Sequence, residues 1–291
     1  IWMIALLIMI ILIILVGGLT RLTDSGLSIT SWELFIGSLP PLTNDKWIEY
    51  FDLYKTIPEY KEQNFNMTLN EFKIIFWWEW AHRQLGRLIG LSVLLPMIYF
   101  TVKSGIWILK EYSIIFLLVC FQGFIGWYMV SSGLIDRVDV SHYRLASHLF
   151  LAFIILSITF WYILENLDVK RFNSKLPNAL LLTIMIFIFL QITFGAFLAG
   201  LDGGLVYNTW PDMNGSFLPN DSNSSDLLSM KSLDTPSIVQ FIHRNIAYFL
   251  MILILYFNVV YLKKKLPVKP LFFFNLTVLF QIVLGIITLL S

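Results

Sequence analysis

Gly17-Gly18-Leu19-Thr20-Arg21-Leu22-Thr23-Asp24-Ser25-Gly26-Leu27 opens a stretch, running on to Pro41, that returns 178 residues later from Gly195 to Pro219. Gly17, Asp24, Gly26, Leu27, Trp32, Gly37, Ser38 and Pro41 fall on Gly195, Asp202, Gly204, Leu205, Trp210, Gly215, Ser216 and Pro219 without a gap. Matches at Gly, Trp and Pro do not come from shared hydrophobicity, so the chain reads as an internal repeat. Further on, a shift of 161 places His82-Arg83 on His243-Arg244. A shift of 159 then places Phe121-Gln122-x-x-x-Gly126 on Phe280-Gln281-x-x-x-Gly285. A shorter second loop explains the changing offset.

Composition says where this repeat lives. Of 291 residues, 57% are hydrophobic and only 13% charged, too apolar for an ordinary soluble domain, so the chain is an all-α integral membrane protein. A net charge of +1 gives no field for nucleic acid. The single cysteine, Cys120, permits neither an intrachain disulfide nor a thiolate metal site. Seven stretches, at about 1–18, 75–102, 113–135, 145–164, 178–200, 239–262 and 270–290, are long enough, or nearly so, to cross the bilayer as helices. In one set of short connections Lys103, Lys110, Lys170, Arg171, Lys175, Lys263, Lys264, Lys265 and Lys269 outnumber Glu111, Glu165 and Asp168, which predicts that those connections face the cytoplasm or matrix. The long segments 19–74 and 201–238 then lie outside.

Each repeat is predicted to hold four helices, and an even number makes the two halves parallel, the first over 1–165 and the second over 178–291. The second half stops after its third helix. Displacing His148 by the same 159 points to about position 307, so a full chain is expected to carry an eighth helix with a further histidine. Ile1 and Ser291 both stand at the edge of apolar runs, and the sequence is read as a fragment whose first run stays as a helix rather than leaving as a signal peptide.

Chemistry is restricted to a few residues. The histidines are His82, His142, His148 and His243. A lone interfacial histidine is ordinarily a hydrogen-bonded structural residue, but the repeat of His82 and His243 favours axial haem ligands, with pairs of imidazoles on facing helices holding a porphyrin. His82 would pair with His148, and His243 with the missing fourth. His142 and His148 stand about 240° apart on a helix, so one is a bystander, and His142 is placed in the loop before the helix. Glu79 shares a helix face with His82, and a membrane carboxyl is functional by default, the alternative being a simple pair with Arg83. Arg83, Arg87, Arg144 and Arg244 are candidate partners for haem propionates, Arg87 equally serving by snorkelling. Trp77, Trp78 and Trp80 read as an interfacial belt. Gly17-Gly18 and the Gln-x-x-x-Gly units at Gln122/Gly126, Gln191/Gly195 and Gln281/Gly285 read as close approaches between helices, whose small side chains would also leave room for a flat macrocycle.

At these residues the chain resembles haem A synthase, of the cytochrome oxidase assembly family, in its alphaproteobacterial and mitochondrial branch. The resemblance rests on Gly17 to Ser28, Glu79-Trp80-Ala81-His82-Arg83, Arg137-Val138-Asp139-Val140-Ser141 with Tyr143 to Ala146 and His148, Ala199 to Asp202 with Asn208 to Pro211, and Phe241 with His243-Arg244. It departs at His142, where a non-histidine polar residue is expected, and at the absent fourth histidine. It implies two four-helix bundles, eight helices in all. Glu79, His82, His148, Arg83 and Arg144 are assigned to a substrate site in the first half, and His243 and Arg244 to a b-type haem cofactor in the second, with iron ligated by the histidines. The implied reaction is an oxidation, haem O to haem A, converting a ring methyl to a formyl, with Glu79 moving protons or steering an intermediate. The implied setting is a bacterial inner membrane, or alternatively the mitochondrial one, with haem O synthase, an electron donor and further copies of the chain as partners. Two other classes compete: a quinol-linked bis-histidine cytochrome b, which needs no carboxyl beside its ligand, and a parallel-repeat transporter, whose polar groups would gather at mid-membrane.

Overall fold

The computed structural model describes residues 1–32, 36–105, 109–135, 137–167, 176–223 and 225–290. They form helices α1 (Trp2–Leu22), α2 (Asn44–Tyr54), α3 (Pro58–Glu62), α4 (Leu69–Ser104), α5 (Leu109–Gly133), α6 (His142–Asn166), α7 (Asn178–Gly200), α8 (Pro236–Lys263) and α9 (Val268–Leu290), with no strand among them. α1 and α4 to α9 are long and apolar enough to cross a membrane. The chain is a multi-pass all-α membrane protein.

Several helices outrun their apolar windows because polar caps extend them. α4 starts at a capping box, in which the Thr68 hydroxyl accepts from the Glu71 N–H and the Glu71 carboxylate accepts from the Thr68 N–H. α8 starts with Pro236, whose missing N–H costs nothing in a first turn. Lys103 and Lys263 close α4 and α8, where cations suit the carbonyl ends. Of the other basic-loop residues, Asp168, Lys170, Arg171 and Lys175 lie outside the described residues, as do the side chains of Lys110 and Glu111.

Contacts divide the chain into two compact units, Ile1–Val169 and Lys170–Ser291. In the first, α1 packs on α4 and α6, and α5 on the same two helices, closing a ring of four. Leu6, Ile10, Ile89, Val93, Ile115, Leu151 and Ile155 fill its centre. Pro96 in α4 removes the N–H that would bond the Ser92 carbonyl, and the Trp2 indole donates to that carbonyl instead at 2.6 Å. In the second unit α7 packs along α8. α9 is tied to α8 by a reciprocal amide pair, Asn258 and Asn275, at 2.6 and 3.0 Å. Otherwise α9 is open, with only Leu271 buried among its described residues.

The described residues of 23–68 fold over the start of α4 as a cap. Trp47, Phe51, Tyr54 and Ile57 pack with Leu27 and Ile29 on Phe72, Ile75 and Phe76. Trp80 packs against this cluster and meets Trp77 edge-on at 5.3 Å, so Trp80 belongs to the cap's packing rather than to an exposed belt. Beneath the cap Glu59 is buried, accepting from the Tyr54 hydroxyl at 3.2 Å and from Asn64 at 3.3 Å. Burial pushes its carboxyl from 4.5 up to about 8, against the lowering effect of the Tyr54 bond and with smaller raising contributions from Glu79, Asp139 and Asp24. A raised folded-state value means that the folded cap holds a proton the unfolded chain has released. This contribution is therefore complete below about 4.5, declines above it and is gone beyond about 8. Amide exchange in 54–64, corrected for its intrinsic pH dependence, is expected to accelerate between pH 5 and 9 (about the span of that shift), and Glu59→Gln should flatten the profile.

Candidate functional site

The two units build the same device from matching residues. α1 ends at Leu22 and α7 at Gly200, 178 apart. Two residues on, Asp24 and Asp202 both take left-handed backbone, φ 46° and 49°, turning the chain back over the next long helix. An arginine then fastens the returning strand of chain. Arg83 donates to the carbonyls of Ile29 (2.9 Å) and Ser31 (3.2 Å). Arg244 donates to those of Tyr207 and Thr209, both at 2.8 Å, and to that of Asp212, also at 2.8 Å. Ile29 and Ser31 map onto Tyr207 and Thr209 by the 178 shift. Both guanidinium groups, predicted to meet propionates, are thus engaged with backbone carbonyls as loop anchors.

One position separates the two devices. The residue three before the histidine is Glu79 in the first unit and Gln240 in the second, both buried. Glu79 Oε1 accepts from Arg83 Nε at 3.0 Å and Nη2 at 2.6 Å, and Oε2 accepts from the Ser28 hydroxyl at 2.7 Å and the Ile29 N–H at 2.8 Å. Gln240 donates to the Tyr207 carbonyl at 3.0 Å. Glu79 does pair with Arg83, and it is also a fixed negative charge locked into the loop. The anchor itself works without a carboxylate, as the second unit shows. Nothing in the sequence marks Ser28 as a partner of Glu79, whereas applying the 161 shift to Glu79 lands on Gln240.

His82, His148 and His243 sit in glycine notches. A Cβ on Gly17 would stand 3.1 Å from His82 Nε2, one on Gly126 3.0 Å from His148 Cε1, and one on Gly195 3.2 Å from His243 Cε1. These glycines therefore make room for imidazoles rather than for close helix backbones, which corrects the packing expectation. Nothing lies within 4 Å of such an atom at Gly18 or Gly285. Gln122 Nε2 approaches His148 Nδ1 at 3.1 Å and Nε2 at 3.2 Å, and Gln191 Nε2 approaches His243 Nε2 at 3.0 Å. His82 and His148 lie on α4 and α6, the diagonal helices of the first ring. His142 is not in a loop: it is the first residue of α6, buried and ring to ring with Tyr143 at 4.1 Å.

Arg144 lies one turn before His148. It donates to the Tyr128 carbonyl at 2.6 Å and the Ser131 hydroxyl at 3.3 Å, with its guanidinium 3.7 Å from the Tyr128 ring centre. With Arg137, Ser131, Ser132, Ile135 and Ser141 it lines an open cleft of about 300 Å³ at the start of α6, a helix with no side-chain cap. Asp139, nearby in sequence, pairs with Arg21 at 3.5 Å. Uncapped N–H groups and two cations make this cleft suited to a carboxylate.

Porphyrin iron asks little of the protein beyond axial ligands. No cluster of three or more His, Cys, Asp or Glu that could hold a bare metal occurs among the described residues. Isolated imidazoles in glycine-lined seats, with Gln122 Oε1, Gln191 Oε1 and His243 Nδ1 buried and lacking hydrogen-bond partners, fit a macrocycle that brings its own equatorial nitrogens.

Known proteins resemble the chain along its whole length. Residues 1–291 match a family described as cytochrome oxidase assembly protein. A relative from Pelagibacter ubique (strain HTCC1062), named heme A synthase, is 56% identical over 292 residues, covering 100% of this chain and 87% of its own. One of the same name from Rickettsia bellii (strain RML369-C) is 44% identical over 301 residues, covering 99% and 88%. Another, from Bradyrhizobium diazoefficiens, is 42% identical over 304 residues, covering 100% and 82%. No solved structure matches. With the family matched end to end and the paired histidine devices in place, the chain belongs to the cytochrome oxidase assembly protein family.

Proposed function

We propose that the protein is a haem A synthase, an oxidoreductase that converts a ring methyl of haem O to the formyl of haem A. The observation that carries this reading is the difference between the two repeated devices, Glu79 beside His82 in one and Gln240 beside His243 in the other. A bis-histidine electron carrier would have no use for a carboxylate in one half alone. In this reading His82 and His148 take the substrate iron, His243 belongs to the b-type haem, and Arg144 faces the substrate's propionates. Methyl to formyl removes four electrons and four protons and takes up the oxygen of one water equivalent. The b-type haem, when bound, supplies electron transfer.

The side chains do the rest. His82 and His148 fix the ring relative to Glu79, one helical turn from His82. Glu79, held by four donors, presents a carboxylate of fixed position, suited to steadying positive charge at the ring edge or receiving a proton from it. Arg83 and the loop 28–31 keep it there. The named relatives come from bacteria, which suits a bacterial inner membrane, with haem O arriving from a haem O synthase, electrons exchanged with a membrane donor or acceptor, and self-association in lipid.

Expression in a bacterium that makes haem O but no haem A tests the reaction: haem A should appear in extracted pigments, and its absence from membranes containing the protein would oppose the reading. The propionate assignment has a separate readout. Arg144→Gln should weaken haem O binding by about 10- to 100-fold, the range for a charge-assisted contact. It should change the affinity for the propionate diester of haem O far less, both read by Soret titration.

A further inference from the structure

Glu59 is a buried carboxyl that the reaction above does not use. It lies in α3, outside the membrane helices, with one of its oxygens engaged: Oε1 accepts from the Tyr54 hydroxyl and from Asn64, while Oε2 is buried without a hydrogen-bond partner. Three carboxylates on other elements act on it, Glu79 of α4 most strongly, then Asp139 of the α5–α6 connection and Asp24 of the turn after α1. Arg21 pairs with the last two, at 3.5 and 2.7 Å. The four grade outward: Glu79 and Glu59 are buried, Asp139 is half-buried and Asp24 is exposed.

A group that takes protons from the ring edge must discharge them before it can act again. Of the four bonds that hold Glu79, two come from Arg83, which keeps its proton, and one from the Ile29 amide; only the Ser28 hydroxyl can accept and donate in turn. Ser28 is buried, and its neighbours Leu27 and Ile29 pack in one cluster with Tyr54 and Ile57. On α4, Phe72 and Ile75 continue the Glu79 face towards the same cluster, and Phe72 meets the Tyr54 ring at 5.3 Å. Resting on the haem A synthase reading, we infer that Glu59 is the proton outlet of Glu79: the Glu79 carboxyl hands its proton through the Ser28 hydroxyl and one water molecule to the ionised Oε2 of Glu59, which passes it by Asp139 and Asp24 to the solvent on the cap side. Each carboxyl returns to carboxylate, so protons alone cross the cap and nothing in it is oxidised or reduced.

The sign of the pH dependence tests this. Glu59 can accept a proton only when ionised, and burial pushes its carboxyl up to about 8. Haem A formation by the holoenzyme, with haem O and the electron partners in excess, should therefore rise about tenfold per pH unit below that value and level off above it. Glu59→Gln should remove this limb and lower the plateau rate at least about tenfold, with haem b and haem O contents unchanged. Tyr54→Phe deletes a bond that lowers the Glu59 value, so the limb should move to higher pH. A purely structural Glu59 predicts the opposite slope, because the protonated carboxyl's contribution to the cap is lost as pH rises. A wild-type rate that falls or stays flat between about pH 6 and 9, or a limb that neither variant changes, would overturn the outlet. Should Glu59→Gln lose its haem b through misfolding, the shift in Tyr54→Phe decides alone. Wild-type holoenzyme that forms no haem A at any pH would overturn the haem A synthase reading and the outlet with it, whereas haem A made without the limb overturns the outlet only.

Discussion

Glu79→Gln is expected to abolish most haem A formation while leaving haem b content and haem O binding near wild-type levels. The structure supplies the reason to expect a folded variant: Gln240 already occupies the equivalent place in the second unit, buried beside an arginine that makes the same carbonyl contacts as Arg83. The substitution therefore swaps one native form of the device for the other. What it removes is the ionisable group one turn from His82. If that group handles a proton or steadies charge at the ring edge, the rate should fall by about 10²- to 10⁴-fold. A partly oxidised alcohol should accumulate. Wild-type yields of haem A would reduce Glu79 to a loop anchor, and loss of all haem would make it a folding residue.

His243→Ala should empty the second unit of haem b and spare haem O binding in the first. The two units are separately compact, and each histidine sits in a notch belonging to its own unit, Gly195 for His243 and Gly17 and Gly126 for His82 and His148. Removing a ligand outright should cost more than the about 10- to 100-fold lost with an outer-shell partner. His82→Ala and His148→Ala should show the reverse selectivity, and His142→Ala, which alters a buried packing residue at the start of α6, should keep both haems. Parallel loss of both haems in all three ligand variants would contradict the division of labour.

Much of this is legible in the sequence. The apolar runs give the seven helices that, among the described residues, are long and apolar enough to cross a membrane, because a bilayer fixes their length and composition so tightly. The internal repeat identified His82 and His243 as equivalent, and the shared Asp24 and Asp202 proved to be the same left-handed turn. Side-chain direction was harder to read. Arg83 and Arg244 looked like propionate partners, since an arginine beside a ligand carries no mark of which way its fork points. In the structure Arg83 meets Glu79 and also carbonyls about fifty residues back in sequence, and Arg244 meets carbonyls about thirty-five back, long-range contacts that hydrophobic periodicity cannot encode. Gly17, Gly126 and Gly195 looked like helix contacts because a missing Cβ leaves room without saying for what. The apolar pattern puts His142 outside α6 because it starts three residues later than the helix does.

The measurement closest to the central claim, two separate sites with chemistry at one of them, is a count of porphyrins through a turnover. Purified protein loaded with haem b is titrated with haem O, supplied with its electron partners, and the pigments are extracted before and after. One haem O per chain should bind without displacing haem b, and after turnover the haem O alone should have become the formyl porphyrin, with haem b recovered unchanged. Displacement of haem b by haem O, or stoichiometric binding of haem O that never yields a formyl, would contradict the account.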